Sequence, residues 1–318
     1  MSTLRRELIE KAVTSSGVSD FIPTIVAAEF IKNLREKNIM RQNFRTINMP
    51  SAVYNVPRVS TGTTVYYVSE GSTAPETSVS SGVMALTAKK LFAQVLVNEE
   101  AIEDAVANMM EVVREDFVDA MATAEERAMI QGDSDYADTT ETEGDADADT
   151  WYTKDSRLAF DGALALAESG DAATKINADS GSMTTSLVNR ARYGLGKFGR
   201  YASNLIMVVN PISAKQLRED DKIVTIDKFG PQATIKLGWV TTVYGINIIE
   251  SGQCTDGYAF CCPKDNLVIG DRRKIKVKTE EVIESDQRRI VLSERIAFSI
   301  RYPGGIIEIY GLSTDAST

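Results

Sequence analysis

No histidine occurs in the 318 residues. Its absence removes the commonest general base, the commonest zinc ligand and every triad built on an imidazole, which weakens the case for an enzyme. Cysteine is nearly as scarce. Cys254, Cys261 and Cys262 are an odd number clustered late in the chain, whereas a secreted disulfide framework is denser and usually even, so reduced thiols are expected. With no C-x-x-C spacing, and with Cys261-Cys262 inside an apolar run, the three read as small core hydrophobes and no metal site is expected. Also missing is any apolar run near the roughly 20 residues of a membrane helix. The opening MSTLRRELIEK lacks the apolar stretch of a signal peptide, so a soluble chain made in the cytoplasm is expected. No phosphate loop of the form G-x-x-x-x-G-K-[ST] is present. The run Gly194-Leu195-Gly196-Lys197-Phe198-Gly199 is glycine-rich without that pattern, and no cofactor is expected.

Cations are the minority charge: 35 Lys plus Arg against 45 Asp plus Glu, a formal net of −10. That balance opposes broad adhesion to phosphate, so nucleic acid near this protein would be contained without being gripped. The 43% hydrophobic and 25% charged residues make an ordinary globular balance, long enough for two packed regions.

What is present is a chain of distinct segments. Residues 1–23 read as an arm, a short amphipathic stretch running into Ser15-Ser16-Gly17. Ala27, Phe30, Ile31 and Leu34 then space out one stripe of a helix starting at Thr24. Between residues 50 and 98 two β-forming runs flank the turn-rich EGSTAPETSVSSG, which predicts a long hairpin projecting from the body. In the return run neither alternate register is polar, so a projecting hairpin of this kind implies a partner surface. Residues 99–131 carry the clearest helical period, through Ile102, Ala105, Met109, Val113, Phe117, Ala120, Met121, Ala124 and Ala128, with Asn98 and Gly132 at the cap positions.

Residues 133–149 hold eight acidic residues and no basic one, the composition of a solvated loop. Asp133, Asp135 and Asp138 do not make a calcium loop, because the glycine and closing glutamate are misplaced. Beyond, an α/β region is expected: helices over 155–169 and 187–198, a strand at 205–209 meeting Asn210-Pro211, and a short helix through Leu217. Further strands are expected at 239–243, 246–250, 258–262, 266–269 and 275–282. The last 30 residues form another hairpin candidate, 290–302 returning as 306–310 after Pro303-Gly304-Gly305. The carboxylate pairs Glu99-Glu100 and Asp220-Asp221 could serve acid–base chemistry, but read more simply as helix-end and turn charges.

The order of parts, with particular residues, resembles the Hong Kong 97 type of tailed-phage major capsid protein. Those residues are Tyr66-Tyr67-Val68-Ser69-Glu70-Gly71 with Pro75-Glu76, then Leu86-Thr87-Ala88-Lys89-Lys90-Leu91 and Asn98-Glu99-Glu100-Ala101-Ile102-Glu103-Asp104. Further on come Ala124-Glu125-Glu126, Gln131-Gly132-Asp133, Val209-Asn210-Pro211 and Ser293-Glu294-Arg295-Ile296-Ala297-Phe298.

The resemblance implies an α+β fold with an arm and first helix over 1–50 and an extended hairpin, the E-loop, over 51–98. A peripheral-domain spine helix and acidic loop would follow over 99–150, an axial domain over 151–263, and return strands of the peripheral domain over 264–318. It implies a non-enzymatic subunit that assembles with itself into hexamers and pentamers of a virion shell around double-stranded DNA. A scaffolding protein and a portal would be separate partners, and no membrane is involved. The E-loop would lie across a neighbouring copy through Tyr66, Glu70, Pro75, Glu76, Leu86, Phe92 and Leu96.

An encapsulin shell around cargo protein is the alternative within the same fold. Ala74 stands where cross-linking members carry a lysine, and Asp286 and Ser293 stand where a partner asparagine would precede Glu294, so noncovalent assembly is expected. No fused scaffolding segment is visible ahead of the arm, and Met1 at the start favours a separate scaffold.

Overall fold

A computed structural model of the chain describes residues 38–100, 109–134, 156–169, 175–220, 222–223 and 242–315. The arm, the helix expected from Thr24, nearly all of the acidic segment and residues 239–241 lie outside the described residues.

Two sheets organise the protein. The first has four strands in the order β1 (Arg45–Asn48), β10 (Leu267–Val282), β11 (Gln287–Ile300) and β4 (Lys89–Asn98), with β1 parallel to β10 and the rest antiparallel. One face of this sheet is apolar at every second residue except Glu294: Ile290, Leu292, Ile296 and Phe298 of β11, with Leu91, Ala93 and Val95 of β4. Against it packs α2 (Met109–Gln131), whose Phe117, Met121, Ala128 and Met129 join the same core. At 1.5 Å per residue the described helix is about 35 Å long. Glu99 and Glu100 are helical as well, and residues 101–108 between lie outside the described residues.

Gly132 ends α2 where the chain crosses Gly162 at backbone distance. A β-carbon on Gly132 would sit 2.2 Å from the Ala128 carbonyl oxygen and 2.3 Å from that of Phe160. Gly132→Val is therefore expected to lower the unfolding free energy by about 2–3 kcal/mol in a urea melt, since overpacked backbone has nowhere to move. A melt unchanged from wild type would show that the crossing relaxes.

The second sheet has six strands in the order β5 (Lys175–Asn177), β12 (Ile307–Tyr310), β9 (Ala259–Pro263), β6 (Leu205–Val209), β8 (Ile246–Glu250) and β7 (Thr242–Val243). Both faces are covered, which is why LIMVV and AFCCP are apolar at every position. Ile206, Val208, Phe260 and Cys262 face the core shared with α2 and with α3 (Ala163–Glu168). Leu205, Met207, Val209 and Cys261 face a second core under α4 (Thr185–Gly194) and α5 (Pro211–Arg218). The adjacent cysteines thus fill opposite cores. Burial pushes the Cys254 and Cys261 thiols up to about 12, and Cys262 well above its ordinary value. Asn210 caps α5 by accepting from the Ile212 amide at 2.9 Å.

Three expectations change. The return run of the early hairpin is two strands: β3 (Ser80–Thr87) pairs with β2 (Val53–Thr61), while β4 leaves it to pair with β11. The switch is at Ala88, whose amide donates to Ala52 O at 2.8 Å. Before it Met84, Leu86 and Ala88 point inward, and after it Leu91 and its odd-numbered neighbours do. The C-terminal hairpin does not form either. A 3-10 turn at Pro303–Gly305 redirects the chain, and β12 pairs with β9 and β5 of the six-stranded sheet instead of with β11. So the last strand lies with the segment expected to be axial. The strands expected at 266–269 and 275–282 are one, β10, with register shifts between Asp271 and Lys276.

Candidate assembly surfaces

The β2–β3 hairpin touches its own body only near its root. Met84, Leu86 and Ala88 make a small core with Met49, Val268 and Ala297, on the side of the four-stranded sheet away from α2. Beyond Met84 one further tie is seen among the described residues, Arg58 Nη1 donating to Arg301 O at 2.6 Å; past it Val59, Val79 and Val83 are exposed, Val65 is 92% exposed and Tyr67 98%. Residues 62–79 have no strand pairing, and the tip turns at Gly71, φ +81°, where Ser72 N donates to Ser69 O at 3.1 Å. Tyr66, Glu70, Pro75 and Glu76 all lie exposed on this tip. The stretch from residue 59 to residue 88 contains no lysine or arginine, so the tip is anionic and aromatic.

The other three residues expected at a subunit contact lie elsewhere. Leu86 is fully buried beneath the hairpin root and is spent within its own protomer. Phe92 and Leu96 are in β4 of the body sheet, 48% and 49% exposed on the face opposite α2. Register places Lys90, Arg295, Arg273, Lys276, Lys278 and Arg289 on that same face, with Glu280 beside Arg289 at 3.5 Å. Lys90 Nζ stands 4.2 Å over the Phe92 ring. A chain of net −10 thus carries one strongly cationic sheet face, with Phe92, Leu96 and Val291 as its apolar strip.

Beneath the opposite face lies a cluster of buried charge. Arg41, on α1 (Ile39–Asn43), grips Glu125 with both arms of its fork: Nε donates to Oε2 at 2.9 Å and Nη2 meets Oε1 at 2.6 Å. Its third nitrogen donates to Asp271 Oδ2 at 2.9 Å. Asn38 Nδ2 donates to Glu125 Oε2 at 3.0 Å. Glu126, fully buried, accepts from the Ile39 amide at 3.1 Å and from Ser251 Oγ at 2.6 Å, so it ties α1 to the six-stranded sheet. Glu125 and Glu126 interrupt an apolar helix stripe, the one signal in the sequence that pointed here.

Glu294 faces this cluster from β11. It is 2% exposed, and its Oε1 has no hydrogen-bond partner among the described residues. Burial first, then repulsion from Glu125, pushes its carboxyl up to about 8. Glu308, at the far sheet, is pushed up to about 7 by burial. A carboxyl whose folded value is raised binds its proton more tightly folded than unfolded. Its stabilising contribution is therefore complete below the ordinary value near 4.5 and is lost as pH rises through about 8. Between those values Glu294 alone gives a slope of about 1.4 kcal/mol per pH unit. Glu294→Gln is expected to flatten the fall in melting temperature between pH 5.5 and pH 8.5 (on the order of three pH units) and to raise the value at the alkaline end. An unchanged profile would refute the assignment.

One member of each carboxylate pair considered for acid–base chemistry has a structural partner: Glu99 Oε1 accepts from Arg288 Nη2 at 2.8 Å, and Asp220 Oδ2 accepts from the Thr185 amide at 2.7 Å. Asp221 lies outside the described residues.

A mixed α and β protomer with a hairpin standing clear of its body has the architecture of a capsid subunit. The chain belongs to the Phage capsid family, whose model matches residues 19–309. It is 21% identical over 313 residues to the major capsid protein of Escherichia phage T5, covering 93% of this chain and 64% of that protein. It is 30% identical over 126 residues to the major capsid protein of Klebsiella oxytoca phage phiKO2, covering 39% of this chain and 29% of that one. The chain therefore spans less than two thirds of either relative. Among solved structures, the fold is similar to the capsid chain of a native GTA particle, with a TM-score of 0.71, 15% identity and coverage of 94% and 98%. The Mycobacterium phage Che8 chain follows at TM-score 0.68, 15% identity, and coverage of 91% and 97%.

Proposed function

We propose that this protein is the major capsid protein of a tailed phage, assembling with itself into the hexamers and pentamers of an icosahedral shell that encloses double-stranded DNA. The observation that carries the reading is the hairpin: a ribbon whose Val59, Val65, Tyr67 and Val83 stay exposed beside the described body gains cover on another copy. In this reading the β2–β3 hairpin is the extended E-loop and α2 the spine of the peripheral domain. The loop crosses the cationic face of the next copy, setting Glu70, Glu76 and the tip tyrosines against Phe92, Leu96 and the lysines and arginines of β10 and β11. A contact between two different patches of the same chain is heterologous, and it closes into rings when the rotation allows. Phage capsid relatives favour a genome container over an encapsulin-type cargo shell. A scaffolding protein and a portal complete the set of proposed partners.

Negative-stain microscopy and size-exclusion chromatography of the expressed chain test the proposal, with megadalton shells or capsomers as the expected result. A clean monomer at high concentration across a range of salt would sink it. With Ala74 at the hairpin tip where a lysine would be needed, assembly is noncovalent, so purified particles boiled in denaturant should run as a single band of 34.8 kDa. Ladders of covalent multimers would contradict this.

A further inference from the structure

Among the described residues, the six-stranded sheet carries opposite charge at its two ends. At the end where β6 and β8 begin and β9 finishes, the loops bring together Arg192, Lys197, Arg200, Lys264 and Arg301, with Asp265 the carboxylate among them. This end is tightly built. Arg192 Nε donates to Gly199 O at 3.1 Å, and Lys264 N donates to Asn204 O at 2.9 Å. Tyr302 and Asn266 exchange bonds of 2.9 and 3.2 Å.

Aromatic rings are interleaved with the cations: Phe198 and Tyr302 stack at 5.6 Å, and Arg200 and Arg301 lie over Tyr201 and Tyr302 at 5.5 and 6.0 Å. Between the rings and Pro263 is an open, mostly apolar cleft of roughly 240 Å³. Tyr201 is 67% exposed, and none of the described residues closes the cleft over it.

At the opposite end, where β6 and β8 finish and β9 begins, stand Asp179, Glu219, Asp256 and Asp315, all exposed. The hydrogen bonds of Leu312 N to Gly257 O, Ser180 N to Gly311 O and Gln216 Nε2 to Ser313 O gather these loops into one surface. Of the described cations nearby, Arg218 is engaged by Glu250 and Lys215 lies 3.8 Å from Glu219, while Lys222 is exposed beside Asp220, so carboxylates outnumber cations at this end.

We propose that these two ends are the complementary halves of a head-to-tail contact between copies of this chain, the cationic, aromatic end of one six-stranded sheet receiving the acidic end of the next. Because the two ends belong to one sheet and differ from each other, a single heterologous contact repeats from copy to copy, and it builds a ring where the rotation between copies closes. Complementary potentials fix its register and suppress the reverse pairing, in which like ends would meet. Nucleic acid is the less favoured occupant of the cationic end, because the complement is already present on the same chain. This contact rests on the shell reading but is separate from the hairpin contact, which uses the other sheet.

The test reverses each end on exposed residues that no core depends on. Lys197→Glu with Arg200→Glu, and separately Glu219→Lys with Asp315→Lys, are each expected to lower capsomer yield by roughly tenfold or more, with melting temperatures unchanged. The fourfold variant, with both ends reversed, is expected to assemble again, because its ends are once more complementary. Normal assembly of either twofold variant overturns the pairing, as does loss in both without recovery in the fourfold variant. If Lys197→Glu with Arg200→Glu assembles normally but its particles hold less DNA, the cationic end is a nucleic-acid contact and the proposal falls. Failure of the wild-type chain to form any assembly is a distinct result and removes the shell reading itself.

Discussion

Replacing Phe92 and Leu96 together by aspartate is expected to abolish particle formation while leaving a folded, soluble protomer. Both side chains are about half exposed on the protomer, so the fold loses little when they become polar. At a covered contact each would bury apolar surface worth about 1.5–3 kcal/mol. The new carboxylates would also meet Glu70 and Glu76 of the incoming hairpin, where Lys90 and Arg295 had offered complementary charge. Repeated at every copy, a loss of this size exceeds what a lattice of modest contacts tolerates. The measurement is particle yield by microscopy beside a thermal melt of the protomer. Undiminished yield would remove the β4 face from the assembly.

The second large effect is on folding. Arg41→Ala should lower the unfolding free energy by about 3–5 kcal/mol in a denaturant melt. The substitution leaves Glu125 and Asp271 buried without their cation, with Glu126 and Glu294 close by, and uncompensated buried charge is far costlier than the pair's own net contribution. Arg41→Lys should recover only part, since an ammonium cannot make the two-pronged contact with Glu125 and reach Asp271 together. Removing Glu125 in the Arg41→Ala background should cost much less than removing it from wild type, the mark of a shared interaction. A loss under about 1 kcal/mol for Arg41→Ala would mean that these charges remain hydrated.

Glu125-Glu126 and Ser293-Glu294-Arg295 were among the residues that carried the family resemblance, and the structure shows what they do. Glu125 and Glu126 tie residues 38–41 and Ser251 to α2, Ser293 accepts from Arg273 across the β10–β11 pair, and Glu294 is buried facing the ion cluster. Arg41 and Asp271 were invisible to a reading along the chain, because the three members of the ion cluster are separated by 84 and 230 positions. Only folding sets them within hydrogen-bond distance.

Local chemistry was legible where a period and a breaker coincide. LIMVV followed by Asn210-Pro211 is a strand, a cap and a helix start in five plus two residues, and it folds so. The helical stripe through Phe117 and Met121 likewise needed no partner to be recognised, and absent histidine with buried cysteines limited the chemistry on offer. The allegiance of strands was not legible. VMALTAKKLFAQVLVN is apolar in both registers, so no periodicity marks the change at Ala88, and β4 goes to β11 because that sheet offers an edge with a matching inward face. β12 crosses to the other sheet for the same reason. Composition and period are properties of neighbours along the chain, whereas strand pairing, buried charge and the opposite signs at the two ends of a sheet are properties of residues that meet only in three dimensions.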